Sequence, residues 1–421
     1  MSQRTYHDPL HRGIGLDRQA PAEGMVMDLV ETAPFQRLRR IRQLGPAYLT
    51  FHSAESSRFT HSLGVFHLAR RAFERMLPLA PELETYRGLL YGAALLHDIG
   101  HGPLSHTGEE MFGLRHEAWS ARVIRHHPEI HDCLESHASG TAEAVANLLE
   151  HGRSPHPLIK HLVSSQLDCD RLDYLLRDSY STGTRYGQLD LDRILGALTL
   201  APDGDMAIHP KGLMAVEHYL VVRNLMYRSV YNHRLNVVCN WLLEKLILTA
   251  RQLGPDQVWA DEVMATWLWQ PDQIRLEDFL ANDDQRTGYH LQSWQAEAPA
   301  ALAELSGRFL DRRLLKATAV EHLSPADQLQ LLATARRLAD RHGHDPELCC
   351  GLRHQQLRGY HPYRGGLRLW DGQQLQALEK ASPLVASLAT PAATSWLIHP
   401  RDISNELRQE MDVEWPRAAA A

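Results

Sequence analysis

The sequence is poor in cysteine, in long apolar runs and in excess basic charge. Its 421 residues include five cysteines, none in a CxxC arrangement, too few for a disulfide framework and typical of a reducing cytoplasm. No stretch approaches the roughly 18 apolar residues of a spanning helix, and the N-terminus lacks the apolar segment of a signal peptide. With 44 Lys+Arg against 51 Asp+Glu, a net charge of −7 argues against a dedicated nucleic-acid binder. A soluble protein without a membrane partner is predicted.

What the sequence has is mainly helical pattern, and the predicted fold class is all-α with minor short β-hairpins. Apolar residues recur at three- and four-residue spacing over Arg58–Met76, Tyr86–Asp98, Leu158–Tyr180, Leu213–Leu253 and Ala326–His342. Hairpins are predicted over Asp8–Leu16 and Leu198–His209, short strands or irregular structure over Gly343–Gly372, and a frayed tail over Trp415–Ala421. We expect a catalytic core over residues 1–250 and a helical packing or oligomerisation lobe over 251–421, one continuous domain being the alternative.

Histidine is abundant, and it is concentrated in one part of the chain. Of 26 histidines, eleven lie between His52 and His137. Imidazole is the commonest metal ligand and exchanges protons near neutral pH, so a site is expected there first. His61, at the start of a predicted helix, shares the apolar face of Val65 and Leu68 and points inward. Taken alone, such a histidine is more often a core residue than a ligand.

A second segment carries a His-Asp pair at the end of a buried helix. The apolar run from Leu89 to Leu96 delivers His97 and Asp98 to the point where glycines and a proline stop the helix. A charged aspartate buried beside a histidine is costly unless it is paired or bound to a metal. Because His101 and His106 follow closely, chance polar capping of the helix end is the weaker interpretation.

The segment Gln166–Asp178 places four carboxylates on one predicted helix. Such a run can be a solvated face with arginine partners. Leu167, Asp170 and Tyr174 share one face, and the two apolar neighbours predict that Asp170 looks inward. With His61 and the His-Asp pair, this gives two imidazoles and two carboxylates from three helices. Mixed nitrogen and oxygen ligation suits Mn²⁺, Fe²⁺, Zn²⁺ or Mg²⁺, ions that can polarise a phosphoryl group.

The order of these motifs resembles the HD phosphohydrolase superfamily, whose signature is His…His-Asp…Asp. The surrounding residues are similar to the branch of deoxynucleoside triphosphate triphosphohydrolases (dNTPases), which includes the catalytic domain of the vertebrate sterile-alpha-motif and HD-domain dNTPase. The similar stretches are Asp8–His11, Phe35–Arg39, Gln43–Gly45, Arg58–Gly64, His97–His106, Asp168–Asp178 and Arg223–His233. The resemblance spans roughly residues 4–240 and implies a helical HD-domain fold.

The resemblance also implies a reaction and its residues. Water attacks the α-phosphorus of a dNTP, and deoxynucleoside and triphosphate are released. The implied ligands of a divalent ion (Mn, Mg, Fe, Zn or Ni, with Mn or Mg favoured for activity) are His61, His97, Asp98 and Asp170. The implied catalytic residues are His106, which protonates the leaving oxygen, the acid–histidine pair Glu109 and His116, and the phosphate-side His101. The family acid is often Asp where this chain has Glu109.

Substrate contacts are implied in the same way. Arginine donates in plane to phosphate oxygens, and a tyrosine ring can pack on deoxyribose and exclude a 2′-hydroxyl. The matching positions are Gln43, Leu44, Arg58, Arg171, Tyr174, Asp178, Arg223 and Tyr231. Arg223, Tyr227 and Tyr231 fall on one helix face at i, i+4 and i+8. Core packing explains the two tyrosines equally well.

Four residues match a regulatory nucleotide site that related enzymes form at a subunit interface: Arg4, Glu31, Gln36 and Arg39. Glu31 stands where the vertebrate enzyme has Asp, and Arg4 where it has Lys. Activation by GTP or a dNTP, with assembly into a homodimer or homotetramer, is therefore a hypothesis. The surrounding arginines, from Arg37 to Arg42, can instead be a solvated helix face or a nucleic-acid patch.

Two other functions stay open from the sequence alone. HD metal sites also serve nucleotidases, cyclic-nucleotide phosphodiesterases and alarmone hydrolases, and a shared fold does not fix the substrate. The second of these functions, from a different class, is a nucleotide sensor or single-stranded nucleic-acid binder without turnover. The intact set of metal ligands argues against that loss of catalysis.

Overall fold

A computed structural model describes residues 2–357, 360, 362, 366–390 and 392–410 of the chain. These residues contain 22 α-helices and nine short strands, which confirms the mainly helical fold class. The helices are Pro21–Glu31 (α1), Ala33–Arg37 (α2), Arg58–Met76 (α3), Arg87–Leu96 (α4), His106–Phe112 (α5), His116–His126 (α6), Pro128–His137 (α7), Thr141–His151 (α8), Pro157–Val163 (α9), Cys169–Thr182 (α10), Leu191–Gly196 (α11), Leu213–Met226 (α12), Arg234–Leu253 (α13), Glu262–Trp269 (α14), Leu276–Ala281 (α15), Asp284–Glu297 (α16), Ala300–Leu310 (α17), Pro325–Arg341 (α18), Pro346–Cys349 (α19), Leu378–Ala381 (α20), Pro383–Leu388 (α21) and Ser404–Glu410 (α22). The strands are Gln3–Asp8 (β1), Arg12–Asp17 (β2), Leu198–Leu200 (β3), Met206–Ile208 (β4), Lys316–Ala319 (β5), Gly351–Leu357 (β6), Arg368–Trp370 (β7), Leu375–Ala377 (β8) and Ala392–His399 (β9). The predicted tail Trp415–Ala421 lies outside the described residues.

Backbone contacts group the chain into two compact units, each made of three stretches of sequence. The first unit is formed by Met1–Met226, Asp261–Gly288 and Gly359–Thr390, and the second by Tyr227–Ala260, Tyr289–Arg358 and Pro391–Ala421, as far as these are described. The predicted boundary near residue 250 stays a prediction. All the predicted metal ligands and catalytic residues belong to the first unit.

The first unit is a helical core around α3 and α4. Helix α4 packs on α1, α3 and α8, and α10 packs on α3. Every residue of α4 from Gly88 to Leu96 is buried, because its sequence is apolar or small on all sides. The helix ends at Leu96, so that His97 and Asp98 directly follow its C-terminal end, as the sequence predicts.

Both predicted hairpins are confirmed. Strands β1 and β2 pair antiparallel around a tight turn in which Asp8 lies opposite Arg12, and β3 pairs with β4. The second hairpin is extended to the order β3-β4-β7-β8, which the sequence did not indicate. In the second unit, β5, β9 and β6 form an antiparallel sheet that packs against α13 and α18. Strands β6 and β7 lie in the stretch Gly343–Gly372, parts of which lie outside the described residues.

Two long predicted helices are interrupted, in each case at a side chain that caps a new helix. Over Leu158–Tyr180 the chain breaks before α10, because Asp168 accepts hydrogen bonds from the backbone of Ser165 at 2.8 Å and of Arg171 at 2.7 Å. Over Leu213–Leu253 a π-helical turn, Tyr227–Tyr231, ends the first helix, and His233 caps α13. Helical periodicity does not reveal such caps.

No helix of the described part of the chain combines the length and the apolar character needed to cross a membrane. The five cysteines are free thiols.

Candidate metal and catalytic site

Three helices bring the predicted metal donors together. His61 lies in the first turn of α3, His97 and Asp98 directly follow α4, and Asp170 lies in the first turn of α10. The Nε2 atom of His61 lies 3.0 Å from Asp170 Oδ1, 3.3 Å from His97 Nε2 and 3.5 Å from Asp98 Oδ2. Donor atoms of His61, His97 and Asp170 all fall within 4.8 Å of one another. Two imidazoles and two carboxylates at this spacing fit one divalent ion.

The electrostatics of this cluster favour a cation. Burial opposes a charge on His61, yet hydrogen bonds with Asp170 and Asp173 raise the pKa of His61 to about 10. Desolvation likewise opposes a charge on Asp170, but hydrogen bonds from His61 and His97 lower the pKa of its carboxyl. The surrounding carboxylates therefore stabilise a positive charge among the donor atoms.

An arginine holds Asp98 in place. Arg58 Nη1 donates to Asp98 Oδ2 at 2.5 Å, and Arg58 Nε donates to Ser105 Oγ at 2.9 Å. Burial opposes ionisation of Asp98, but Arg58 and then His97 lower the pKa of Asp98 well below its ordinary range. Arg58 Nη2 also donates to the carbonyl of Gln43 at 3.3 Å. The structure thus ties Arg58 to a metal donor, and its predicted contact with substrate stays a prediction.

The four carboxylates of α10 are not a solvated face. The side chains of Asp168 and Asp173 are at most 1% exposed, and Asp178 is buried. The side chain of Asp170 is 31% exposed. Periodicity predicts that Asp170 looks inward, and its Oδ1 faces His61 Nε2 at 3.0 Å. Leu167, one of the two apolar neighbours behind this prediction, precedes the helix, which begins at Cys169.

A second cluster contains all four predicted catalytic residues and touches the first. Glu109 Oε1 lies 2.5 Å from His116 Nδ1, and Glu109 Oε2 lies 2.9 Å from His106 Nδ1. The rings of His101 and His116 stack with their centroids 4.0 Å apart. His101 Nε2 lies 3.3 Å from Asp98 Oδ1. A predicted metal donor and the predicted catalytic histidines therefore share one site.

The histidines of the second cluster differ in charge and exposure. Burial, with the positive charge of Arg58, lowers the pKa of His101 well below its ordinary value, so this ring is neutral. Burial opposes a charge on His116, but its hydrogen bond with Glu109 raises the pKa of His116. The side chain of His106 is 67% exposed. His106 is thus the histidine of the cluster that an incoming ligand reaches most directly.

The ion pair between Glu109 and His116 predicts a pH-dependent stability. Burial opposes ionisation of Glu109, but hydrogen bonds with His106 and His116 lower its pKa, so its contribution is present above its ordinary pKa of 4.5 and is lost in acid. The contribution of His116 is fully present below its ordinary pKa of 6.5 and is lost as the pH rises through its raised pKa. Replacing Glu109 by Gln is therefore expected to lower the free energy of unfolding by about 2 kcal/mol at pH 5.5 and by less at pH 9.5.

Urea unfolding of the wild type and of Glu109→Gln at pH 5.5, 7.5 and 9.5 measures this difference. The matched control is Glu143→Gln, because Glu143 pairs with Arg125, which does not titrate in this range. Its effect should be constant with pH. An equal effect of Glu109→Gln at all three pH values would contradict the assignment of charge to His116.

The loop before His106 is strained and is held by residues from outside the HD motifs. Leu104 and Ser105 have φ values of 61° and 56°, which non-glycine residues rarely adopt. Asp284 accepts a hydrogen bond from the backbone of Leu104 at 2.7 Å, and Ser105 Oγ donates to the carbonyl of Arg42 at 2.6 Å. The segment Asp261–Gly288 of the first unit thus fixes the loop that presents His106.

Close packing of the same loop depends on a glycine. A Cβ atom on Gly100 would lie 2.1 Å from the backbone nitrogen of Ser120. Ser120 Oγ accepts from the backbone of Gly100 at 3.0 Å and donates to the carbonyl of His97 at 2.9 Å. The glycine therefore allows α6 to approach the metal donor His97.

Two of the three predicted arginines of the substrate site meet at the turn before α10. Arg171 forms hydrogen bonds with the carboxylate of Asp168 and with the carbonyl of Ser165. Arg223 Nη1 donates to Gln166 Oε1 at 2.9 Å. The structure thus brings two of the predicted phosphate-binding side chains to one short stretch of chain, directly before Asp170.

The other predicted substrate residues differ in their burial and surroundings. Gln43 is buried, and its Oε1 accepts no hydrogen bond from the described residues. Leu44 and Tyr174 are half-buried, and Asp178 is buried. Tyr231 belongs to the second unit and lies in the π-helical turn. The spacing of that turn is not α-helical, yet the rings of Tyr227 and Tyr231 lie with their centroids 5.0 Å apart.

The residues of the predicted regulatory site form two pairs at the end of α1. Arg4 on β1 is ion-paired with Glu31. Gln36 donates to the carbonyl of Val30 at 2.7 Å and accepts from Arg39 Nε at 2.8 Å. One pair includes Glu31 and the other contacts Val30, so both pairs lie at the C-terminal end of α1.

The sequence alone does not single out the residues that support His61. Asp173 is fully buried and accepts a hydrogen bond from His61 Nδ1 at 2.7 Å. His11, which was noted only as part of a similar stretch, contacts the same carboxylate. No local pattern links His11 and Asp173, because 162 residues separate them. The one sign in the sequence is that both lie in stretches that resemble the same family.

A helical unit that gathers His, His-Asp and Asp donors at one point defines an HD-type phosphohydrolase. Residues 58–178 match the HD domain family, and residues 189–399 match the HD associated region. The chain therefore belongs to the HD-domain phosphohydrolase superfamily, which confirms the resemblance seen in the sequence.

Several relatives and solved structures support this placement. The chain is 33% identical to the uncharacterized protein YwfO of Bacillus subtilis over 412 residues, 95% of this chain and 93% of that protein. It is 30% identical over 242 residues to the Dictyostelium discoideum homolog of deoxynucleoside triphosphate triphosphohydrolase SAMHD1, a match of 54% of this chain and 46% of that protein. The chain thus spans less than half of that relative.

The fold is also similar to a crystal structure of a phosphohydrolase from Bacteroides thetaiotaomicron. The TM-score is 0.83 at 25% identity, over 95% of this chain and 100% of that chain. A hypothetical protein from Aquifex aeolicus has a TM-score of 0.76, also at 25% identity. The similarity to both structures extends over nearly the whole chain and includes the region beyond residue 250.

Proposed function

We propose that this protein is a metal-dependent dNTP triphosphohydrolase, which converts a dNTP to deoxynucleoside and intact triphosphate. The observation that carries the proposal is the contact of the two clusters, in which His101 Nε2 lies 3.3 Å from the metal donor Asp98. Metal donors and proton-transferring histidines at one site are what hydrolysis with an alkoxide leaving group requires. The similarity to the Dictyostelium dNTPase homolog supports a dNTP as the substrate.

The residues that would hold the ion are His61, His97, Asp98 and Asp170. A divalent cation bound there supplies a Lewis acid for a phosphoryl oxygen and lowers the pKa of water. The mixed imidazole and carboxylate donors do not choose among Mn²⁺, Mg²⁺, Fe²⁺ and Zn²⁺. Mn²⁺ or Mg²⁺ is the ion we favour for activity on the resemblance to the dNTPase branch.

The second cluster would handle the protons of the reaction. Water adds to the α-phosphorus and gives up a proton to solvent, and the bond to the 5′ oxygen breaks. That oxygen takes a proton from His106, which is protonated again from solvent. Glu109 contacts His106 through Nδ1, which leaves Nε2 of this exposed ring for the substrate. Glu109 also fixes His116, whose charge favours an anionic neighbour. The neutral His101 offers a hydrogen bond to a phosphate oxygen.

Binding of the triphosphate is assigned to the arginines near the start of α10. Arg171 and Arg223 supply planar donors that suit phosphate oxygens. Tyr174, which is half-buried one turn beyond Asp170, is assigned to the deoxyribose, where its ring excludes a 2′-hydroxyl. Gln43, whose buried Oε1 has no hydrogen-bond partner among the described residues, is assigned to the sugar as well.

Chromatography of the products tests the proposal. Purified protein is incubated with each dNTP and Mn²⁺ or Mg²⁺, with and without GTP and a mixed dNTP pool, and the double variant His97→Ala/Asp98→Ala serves as the inactive control. We expect deoxynucleoside and triphosphate from the wild type and neither from the variant. Release of monophosphate or orthophosphate would keep the metal site but contradict the dNTPase assignment. No turnover in any mixture would also contradict that assignment and would favour a different phosphate ester or a nucleotide sensor.

Regulation by nucleotide is part of the same proposal. The pairs Arg4–Glu31 and Gln36–Arg39 provide a guanidinium and an amide at the end of α1, groups that can bind phosphate and a guanine edge. We propose that GTP or a dNTP binds there and favours a homodimer or homotetramer in the cytoplasm. In the product assay, this mode of regulation requires a higher rate when GTP is added.

A further inference from the structure

One buried carboxylate touches both a metal ligand and the N-terminal hairpin. Asp173 Oδ2 accepts from His61 Nδ1 at 2.7 Å and from Arg177 Nε at 2.7 Å. Asp173 Oδ1 lies 2.6 Å from His11 Nε2 and accepts from Arg177 Nη2 at 3.0 Å. The other nitrogen of His61 faces Asp170, so Asp173 binds the side of the ring that is opposite to the metal donors.

The hairpin turn fixes the position of His11. Asp8 Oδ1 accepts hydrogen bonds from the backbone of Leu10 and of His11, both at 2.8 Å. Asp8 Oδ2 accepts from Arg177 Nη1 at 2.8 Å. The side chains of Asp8, His11 and Arg177 are all at most 4% exposed. Turn and helix α10 are therefore joined by a continuous buried network that ends on His61.

A glycine of α3 makes room for this carboxylate. A Cβ atom on Gly64 would lie 1.9 Å from Asp173 Oδ1 and 2.5 Å from Arg177 Nη2. Any other residue at this position would push the carboxylate away from His61, which lies one turn earlier on the same helix. The glycine of the stretch Arg58–Gly64 thus has a role in the contact between Asp173 and His61.

We propose that Asp173 is a positioning residue for the metal ligand His61, and that the hairpin turn from Asp8 to His11 belongs to its support. A carboxylate at Nδ1 keeps the proton on that nitrogen, orients the ring and leaves the Nε2 lone pair for the ion. His97 differs, since its Nδ1 lies 3.0 Å from the neutral carbonyl of Ala94. The inference rests on the proposed metal site but not on the identity of the substrate.

Titration of the metal-free protein with Mn²⁺ tests the inference. Binding is measured by calorimetry and from the electron paramagnetic resonance signal of free Mn²⁺. We expect Asp173→Asn to raise the dissociation constant about 10- to 100-fold. His11→Ala should raise it by less, below about tenfold, because it acts through Asp173. His11→Gln, whose amide can still donate to the carboxylate, should restore most of the affinity.

The matched control is Asp205→Asn. Asp205 is 2.5 Å from His161 Nδ1 in the same unit, so the variant breaks a His–Asp contact of the same kind without touching the metal donors. It should bind Mn²⁺ as the wild type does. Circular dichroism and melting temperature of each variant show whether it is folded.

The outcomes separate this inference from the proposed function. A wild type that binds no Mn²⁺ would contradict the proposed metal site itself. A wild type that binds, together with a folded Asp173→Asn of unchanged affinity, would overturn the positioning role. Where Asp173→Asn does not fold, the His11 variants decide: equal affinities of wild type, His11→Ala and His11→Gln would overturn the inference.

Discussion

Replacing Asp170 by asparagine is expected to lower kcat/KM by about 1000-fold or more, with loss of bound metal. Asp170 Oδ1 lies 3.0 Å from His61 Nε2 and 3.7 Å from His97 Nε2, so it faces both imidazole donors. A neutral amide in its place is a weak metal ligand. A bound ion contributes several kcal/mol to stabilising the transition state. Since about 1.36 kcal/mol corresponds to a tenfold change in rate, its loss lowers the rate by several powers of ten. Steady-state kinetics and elemental analysis of the purified variant measure both effects.

The size of the side chain does not explain this expected loss, because aspartate and asparagine have nearly the same shape. Asp205→Asn again provides the control, since it changes a half-buried carboxylate that contacts His161. Its activity and metal content should equal those of the wild type. An Asp170→Asn protein that keeps full metal content and activity would show that the ion is held elsewhere.

Replacing His106 by alanine is expected to lower kcat by about 100- to 10,000-fold with the ordinary substrate. The reason is the leaving group, because a 5′ alkoxide needs a proton at neutral pH. The metal donors do not touch His106, so the variant should retain its metal. The measurement is the rate of triphosphate release, with metal content determined on the same sample.

A substrate with a sulfur in place of the 5′ oxygen distinguishes this role from a structural one. A thiolate leaves without protonation, so the defect of His106→Ala should shrink to less than about tenfold on this analogue. The rate defect of Glu109→Gln should also be smaller on this analogue, because Glu109 contacts His106 Nδ1 at 2.9 Å. An equal defect on both substrates would mean that His106 is not the general acid.

Local pattern predicted much of the fold and the helix end that carries His97 and Asp98. The helix Arg58–Met76 was predicted with the bounds that the structure has, and the run to Leu96 correctly placed the His-Asp pair at a helix end. These predictions succeeded because one apolar stripe or one apolar run dominates each segment. The same method failed at Asp168, where a side-chain cap, rather than the hydrophobic pattern, begins the helix.

Other features of the site come from contacts across long stretches of sequence. Asp173 reaches His11 over 162 residues, and Asp284 reaches Leu104 over 180 residues. Arg37, fully buried, donates to the carbonyls of His101 at 2.8 Å and Asn282 at 2.6 Å. A sequence shows each of these as an ordinary charged residue, because burial and pairing depend on the tertiary fold.

The measurement that tests the central claim most directly is hydrolysis in water enriched in ¹⁸O, with mass spectrometry of both products. The account predicts one ¹⁸O atom in the triphosphate and none in the deoxynucleoside, because water attacks the α-phosphorus and the bond from phosphorus to the 5′ oxygen breaks. Label in the deoxynucleoside, or in a released orthophosphate or pyrophosphate, would contradict it.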